Sequence, residues 1–513
     1  MISKGIIEDA NNMVQALLVG LTSLSRKVTL RRQLNTFDTT SLVVGSAIGA
    51  DIFVVPALSA KLLGPASLLI WLAGAVIAIV IALSFAYCAT FLPRVGGSYA
   101  YTKDVAGPYA GFMVGWALLL AEWFSLSVFP VAFTQYFVAL VPNLNQPSQL
   151  LLKAVFIVAI ILTNIYGVKT AGKVNDLLTI LKLGPLFLLI CLGVGFIVFQ
   201  PHLASSHFQP FFVGGVSNIG QALVLIFWAY AGFELSSLPA DEIQHPKKTL
   251  PKALLFGMLI VAAFYIITNF VVIGVVDQRT LVSSAAPLTV AASTVLSISP
   301  TLSIIGGLIL AVGALVSILG ADESGTIGTS SLALAMSIDG MLPKAFSKLQ
   351  KSSHTPYIGI IVLCSTAFIA SLTNSLSALI NSSVFLLSFA YLATCVSAAL
   401  LERKYARKPV GVWERTLLPS LGVIFSLFLM TQVSPQQILV SVLLLAVGVP
   451  VYVFFAPKKE QHELKEAFLS RDAILERTYH QGEIFLANVV RHIKWRIYQA
   501  KQIDRAWQIE ERN

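Results

Sequence analysis

SLVVGSAIGADIFVVP, residues 41–56, and LIFWAYAGFELSSLP, residues 225–239, are two apolar stretches built alike. Each is apolar enough to cross a membrane as a helix. Each is weakened at mid-depth by glycine and small residues, and a proline follows. A helix facing lipid gains nothing from such a defect, because every freed backbone N–H or C=O is left unsatisfied in hydrocarbon. The defect makes sense where unwound backbone lines a cavity and binds a polar solute. The two stretches stand in corresponding places in the two halves of the chain. Paired interruptions of this kind point to a solute site at the interface of two repeats.

The chain has 513 residues, 56% of them hydrophobic and 12% charged, and its mean hydropathy is +0.80. Soluble domains carry about 25% charged residues, so this is the composition of a polytopic, all-α integral membrane protein. Twelve spans of about 20 apolar residues are read at 38–60, 66–91, 110–140, 150–168, 177–199, 217–240, 252–276, 301–335, 357–374, 378–401, 416–432 and 436–456. With a cytoplasmic N terminus, inward loops hold fifteen basic residues, among them Arg94, Lys103, Lys169, Lys247, Lys344 and Arg403. Outward loops and span ends hold only Lys61, Lys153 and Arg279. This asymmetry places both termini on the cytoplasmic side of a cell membrane, plasma or inner. The net charge of +10 then reflects topology and attraction to anionic lipid, with no nucleic-acid partner implied.

Cys88, Cys191, Cys364 and Cys395 all lie in apolar runs, with neither disulfide-framework nor metal-ligand spacing. They read as buried small hydrophobes. No cofactor or metal is expected. None of the seven histidines is paired at i, i+4, and no Ser/His/Asp arrangement stands out, so an enzyme is not expected. The run from Met13 to Leu24 has the wrong flanks for a cleaved signal peptide and is too short to span; it reads as a cytoplasmic or interfacial helix.

Five domains follow from this reading: an N-terminal segment 1–36, a first repeat 37–200 with spans 1–5, a second repeat 201–402 with spans 6–10, spans 11–12 over 403–456, and a cytoplasmic tail 457–513. Five helices per repeat make the halves opposite in orientation, so the two interrupted helices run antiparallel and meet near the midplane. In the tail, Leu486, Val490, Ile493 and Ile497 at helical spacing lie among Arg491, Lys494, Arg496 and Lys501. This is a basic amphipathic helix, either a plain solvated tail or a regulatory element.

Gly45-Ser46-Ala47-Ile48-Gly49-Ala50-Asp51-Ile52-Phe53 carries two glycines four apart. Alone, such spacing equally suits close helix packing. Its counterpart, Trp228-Ala229-Tyr230-Ala231-Gly232-Phe233-Glu234, tips the reading toward a site. Half-helix N termini offer N–H groups to an anion, and unwound carbonyls accept from a cation. An amino acid presents both charges on one carbon. Trp228, Tyr230 and Phe233 form a prospective aromatic lid over its side chain.

These motifs resemble the amino acid–polyamine–organocation (APC) superfamily over most of residues 36–356. The first stretch matches the pattern G-S-x-I-G-x-G-I-F. Pro93-Arg-Val-Gly96-Gly97-Ser-Tyr99-Ala-Tyr101, with Gly107 and Gly115-Trp116 after it, matches the superfamily's most recognisable signature. Asp241-Glu242-Ile-Gln-His-Pro246 continues the second stretch, and Asp339-Gly-Met-Leu-Pro343 matches the end of span 8. The resemblance implies twelve helices in a five-plus-five inverted repeat (LeuT-like) with helices 1 and 6 broken. It also implies transport of an amino acid or amine by alternating access. Gly45, Ser46, Ala47, Gly49, Ala50, Asp51, Trp228, Tyr230, Ala231, Gly232, Phe233 and Glu234 are the implied substrate-binding residues.

Lys182 lies in span 5, about a turn and a half from its cytoplasmic end, and snorkelling is one account of it. In proton-coupled members of the superfamily a lysine in this context takes the place of sodium, which implies a coupling role with Glu122, Asp322 and Glu323 as further proton-coupling candidates. An intramembrane acid is a functional hypothesis in its own right. Glu234 suits gating or amine contact, and Glu122 suits a backbone donor or a lysine.

Departures from the pattern matter as much. Asp51 stands in place of the third glycine, where it would repel a solute carboxylate. Either it belongs to a proton relay, or the solute is an amine. Asp322 and Glu323 lie about 24 Å along span 8 from Asp339. Neighbours on a helix diverge by about 100°, so at most one faces a central cavity, and the other needs Lys182 or a hydroxyl. A wet outward vestibule holding both is the alternative. Ile338 replaces the basic residue common just before D-G-x-L-P.

The expected function is secondary-active, proton-coupled transport of an amino acid, a cationic one among the options, with a polyamine or amine carrier or exchanger as the alternative. Expected partners are the solute, protons and membrane lipid. A reading of another class is a nutrient sensor on a transporter fold, signalling through its tail.

Overall fold

A computed structural model describes residues 35–457 except 94–95, 167–170, 235–242, 352, 354, 374 and 407–412; for 171–181, 246 and 413–414 it describes the backbone alone. The N-terminal helix, the tail helix, Arg94 and the Asp241-Glu242 pair of the sequence reading lie outside the described residues. Contacts divide the chain into two units, Met1–Val451 and Tyr452–Asn513.

Every element in the described residues is helical. Asn35 opens the first helix, α1 (Thr36–Ala47), with a capping box: its side chain accepts from the N–H groups of Phe37 and Asp38, while Asp38 accepts from the Asn35 N–H. α1 stops at Ala47, and the chain resumes as α2 (Asp51–Leu63). Ile48-Gly49-Ala50 is therefore the interruption anticipated for helix 1. Gly64, at φ +62°, turns the chain into α3 (Ser67–Phe91). α4 (Gly97–Ala106) follows, then α5 (Pro108–Leu140), α6 (Gln146–Tyr166), α7 (Ala171–Phe199) and the short α8 (Pro201–His207). α9 (Asn218–Tyr230) ends where Ala231 turns extended and Gly232 takes φ +105°. Beyond it come α10 (Pro246–Val275), the short α11 (Gln278–Ser283) and α12 (Pro287–Val295), α13 (Pro300–Ile338), α14 (Tyr357–Ser371), α15 (Leu376–Tyr405), α16 (Leu418–Gln432) and α17 (Pro435–Phe455).

Nine runs in the described residues are long and apolar enough to cross a membrane, and Asn218–Tyr230 and Tyr357–Ser371 are shorter apolar helices. The run Asp51–Phe91 holds two helices, because Gly64 breaks its direction. The expected spans 6 and 9 thus appear as helices of 13 and 15 residues. Leu151, Val155, Val158 and Leu162 on α6, and Leu439, Leu443 and Val447 on α17, are exposed. Water would penalise such continuous apolar faces, and acyl chains do not. The protein is a multi-pass integral membrane protein.

α5 packs along both α13 and α15, α3 along α10, α1 against α10, and α9 against α2. The centre of this packing holds the two interruptions. Cys88, Cys364 and Cys395 are buried as expected, but Cys191 on α7 is exposed, because its turn of the helix faces outward. Lys153, placed above at an outward span end, is buried and donates to the Ser371 carbonyl at 3.1 Å. It satisfies a carbonyl at the C-terminal end of α14.

Two sequence motifs far apart in the chain meet at one end of α13. Asp339 accepts from Tyr99 at 2.5 Å and from Lys103 at 2.7 Å. Ile338 is exposed, and Lys103 of α4 supplies the positive charge to this aspartate. Lys404, at the end of α15, reaches Asp104 of α4 at 2.9 Å. Both pairs are partly solvated, so each stabilises by about 1 kcal/mol or less. Asp339→Asn and Lys103→Met should each lower the thermal midpoint slightly in detergent, and the double variant should lose no more than the larger single loss. Additive losses would refute a direct pairing.

Candidate functional site

The backbone of residues 45–50 leaves its helical ladder deep in the bundle, and its freed groups are met by side chains from three other elements. Lys182 of α7, 2% exposed, donates from Nζ to the Gly45 carbonyl at 2.8 Å. An amine so enclosed is not snorkelling. Tyr265 of α10 donates to the Ala47 carbonyl at 2.9 Å and also contacts Asp51 Oδ2. Its hydroxyl has one proton for these two acceptors, so when that proton goes to Ala47 the Asp51 carboxyl supplies the other. Asp51 Oδ1 accepts the Gly49 N–H at 2.6 Å. One turn on, where Pro56 disturbs α2, the Tyr136 hydroxyl of α5 donates to the Phe53 carbonyl at 2.6 Å.

The second interruption is made the same way. The Gly232 N–H donates to both carboxylate oxygens of Glu234, at 3.1 and 3.0 Å. The two interruptions face each other closely. A Cβ on Gly232 would stand 2.6 Å from the Ser46 carbonyl oxygen, so only glycine fits there, at a φ that L side chains avoid. A Cβ on Gly49 would stand 2.8 Å from the Ala321 Cβ, which lets α13 approach.

Between the interruptions lies a small cavity of about 40 Å³. Ser46, Ala47, Gly49 and Asp51 line it from the first interruption, and Trp228, Ala231, Gly232 and Glu234 from the second. α5 adds Glu122, Ser125, Leu126 and Phe129, α13 adds Ala321 and Gly325, and α15 adds Leu387. Trp228 is held by a hydrogen bond from Nε1 to Ser125 Oγ at 3.0 Å. The wall thus carries three carboxyl groups, Asp51, Glu122 and Glu234, and no Lys, Arg or His.

The other sequence-derived candidates sit behind this wall. Tyr230 is fully buried, donates to the Trp71 carbonyl at 3.0 Å and packs on Trp71 and Tyr265. Phe233 is fully buried, stacks on Tyr391 and meets Phe85 edge to face. Of the aromatic trio, Trp228 alone lines the cavity. Gly45 and Ala50 lie outside its lining, Gly45 with its carbonyl on Lys182. Asp322 turns away toward the Thr326 hydroxyl, at 3.3 Å, and Cys364. Glu323 interacts electrostatically with Lys182, as does Asp51. Glu122 is buried and lines the same cavity as Glu234.

Sequence reading missed Tyr265, Ser125 and Phe129. Ser125 lies three residues past Glu122, on the same helical face, which is a usable signal. Tyr265 sits in a plain apolar run, AAFYIITN, and only packing reveals it. No group of three or more metal-ligating residues occurs among the described residues.

A model of the amino acid permease family matches residues 34–460. A branched-chain amino acid permease of Bacillus subtilis is 27% identical over 467 residues, covering 85% of this chain and 96% of the permease. A serine/threonine exchanger of the same organism is 28% identical, with 84% of this chain and 98% of the exchanger covered. The large neutral amino acids transporter small subunit 2 of Rattus norvegicus is 27% identical, with 83% and 81% covered. These relatives are transporters, not enzymes.

Gly232→Ala tests the facing of the two interruptions. The variant should reach the membrane and remain monodisperse in detergent, yet lose at least about tenfold in solute affinity, since its methyl group pushes Ser46 away. Unchanged affinity in a binding titration would show that the two segments need not approach.

Proposed function

This chain belongs to the amino acid permease family, and we propose that it is a secondary-active transporter carrying an amino acid or related amine across a cell membrane by alternating access. Family membership and the relatives' names support the solute class. The observation that carries the mechanism is the facing of Gly232 and Ser46 across a cavity between two interrupted helices. In this reading the chain has twelve spans in two inverted five-helix repeats, with both termini cytoplasmic.

The residues take the following roles. Ser46, Ala47 and Gly49 meet the solute from one side of the cavity, and Ala231 and Gly232 from the other, with Gly45 and Ala50 supporting them from behind the lining. Unwound backbone suits this task because its donors and acceptors have no helical partners. Trp228 forms one wall for the solute side chain. Tyr230 and Phe233, held in the core here, position the second interruption and join the wall only if the helices shift.

Lys182 couples protonation to movement. Its ammonium ties α7 to the Gly45 carbonyl at 2.8 Å, and Asp51 and Glu323 provide the opposing charge. A neutral amine donates a weaker hydrogen bond than an ammonium, so proton loss loosens α7 from the first interruption. Asp322 is a further proton site in this scheme. A carrier of polyamines or an exchanger is the second reading, favoured by the three cavity carboxyls.

Proteoliposome uptake tests the proposal with arginine, leucine, serine and putrescine, each under an inward proton gradient, a sodium gradient and none. Proton-driven accumulation of at least one amino acid is expected. Lys182→Ala should abolish that accumulation while leaving some equilibrium exchange. Accumulation unchanged in the variant removes Lys182 from the coupling, and no flux of any solute from folded protein removes the transport reading.

A further inference from the structure

We propose that a second cavity, bounded by α5, α12 and the start of α13, binds an uncharged polyhydroxy group: a sugar or polyol, free or as the head of a neutral glycolipid. This cavity shares no lining residue with the one between the interruptions, and it does not depend on the transport reading above.

α12 carries the pattern that builds one wall. Leu288, Ala291, Ala292 and Val295 are buried and fall on one side of the helix. Thr289, Val290, Ser293 and Thr294, with Ser297 just beyond the helix end, recur at steps of three and four residues and so share the opposite side. These five line a cavity of about 550 Å³. On α5, Gln135, Val138 and Ala139 repeat the same spacing and form a second wall, and Ser303 of α13 contributes from the third element. The volume falls inside the range of about 300–1,000 Å³ typical of small-molecule clefts.

The chemistry of the lining selects the ligand. It holds four serines, two threonines and one glutamine among valines and alanines, and no Asp, Glu, Lys, Arg or His among the described residues. An ammonium, a carboxylate or a phosphate would give up water for a wall without a counter-charge, which is costly. Amino-acid zwitterions and charged lipid heads therefore fit this cavity poorly. A hydroxyl both donates and accepts, as do the serine, threonine and glutamine side chains that face it. The valines and alanines suit the apolar C–H face of a sugar ring.

Much of this hydrogen-bonding capacity is unused within the protein. Helical serines and threonines often bond back to a carbonyl one turn earlier, as Thr294 does to Val290 at 2.9 Å. Ser303 donates to the Ser293 carbonyl at 2.8 Å, and Ser284 accepts the Ala286 N–H at 3.1 Å, which leaves its own O–H to donate. The side chains of Gln135, Ser293 and Ser297 make no hydrogen bond among the described residues. The Thr289 hydroxyl, enclosed in the wall, is also unpaired. Three elements thus bring free amide and hydroxyl groups to one uncharged cavity.

Equilibrium binding to the full-length protein in phosphatidylcholine nanodiscs tests this, with radiolabelled octyl β-glucoside as the probe and empty nanodiscs subtracted. One saturable site per chain is expected. Octyl sulfate, the same tail under a charged head, should compete at least about tenfold more weakly than unlabelled octyl glucoside. Competition by glucose would identify the free sugar as a sufficient ligand, and competition by octyl glucoside but not glucose would assign the head group of a lipid. Gln135→Leu should weaken octyl glucoside about tenfold, the worth of about one hydrogen bond, and Ser293→Phe should abolish its binding by filling the cavity. The octyl sulfate comparison uses the unaltered protein, so it decides even where a variant does not fold. Binding that does not saturate, octyl sulfate competing as well as octyl glucoside, binding unchanged in both variants, or displacement by an amino acid that the protein takes up would each overturn the inference. Uptake into proteoliposomes reports on the transport reading separately.

Discussion

A backbone group freed from its helix inside hydrocarbon has no water to turn to, and this constraint organises the protein around residues 45–51 and 230–234. The first interruption is possible only because Lys182, Tyr265 and the Asp51 carboxyl reach its carbonyls and its N–H. The second depends in the same way on Glu234. These partners come from α7, α10 and the segments themselves, so the surrounding helices must sit where they do for the break to exist. The cavity follows from that arrangement. Two unwound segments that face each other cannot pack like two helices, and they leave unfilled space between them.

Charge is the second constraint. Three carboxyls in one buried wall would be costly if all were ionised and alone. The structure answers with short-range partners: a tyrosine and a backbone amide for Asp51, and a backbone amide for Glu234. The cation nearest to them, Lys182, is not in the cavity wall. It stands behind the first interruption, where its Nζ donates to the Gly45 carbonyl.

The polar end of α13 obeys simpler rules. Tyr99 and Lys103 of α4 meet Asp339, and Asp104 meets Lys404 of α15. Such partly exposed pairs contribute little to stability, but they tie α4 to the ends of α13 and α15. The lysine that pairs with Asp339 comes from a motif more than two hundred residues away, which explains why Ile338 can replace the basic residue expected beside it.

Much of this was legible in the residues alone. Hydropathy and length determined a multi-pass helical protein, because an apolar run of that length has no other stable home. The glycines at 45, 49 and 232 located the interruptions to within a residue or two, since glycine is costly in a helix and needed at positive φ. Glu122, Glu234 and Asp51 stand in apolar surroundings and are buried, whereas snorkelling for Lys182 and a wet vestibule for Asp322 stayed open until packing enclosed both. Partners were not legible. That Tyr265 serves both Ala47 and Asp51, and that Tyr230 and Phe233 are core side chains while Ser125 fixes Trp228, were decided only by tertiary structure. Hydrophobic periodicity tells a residue's depth, which is a property of one helix. Which side chain it touches depends on the rotation and height of a second helix, and these are set by close packing summed over the whole bundle.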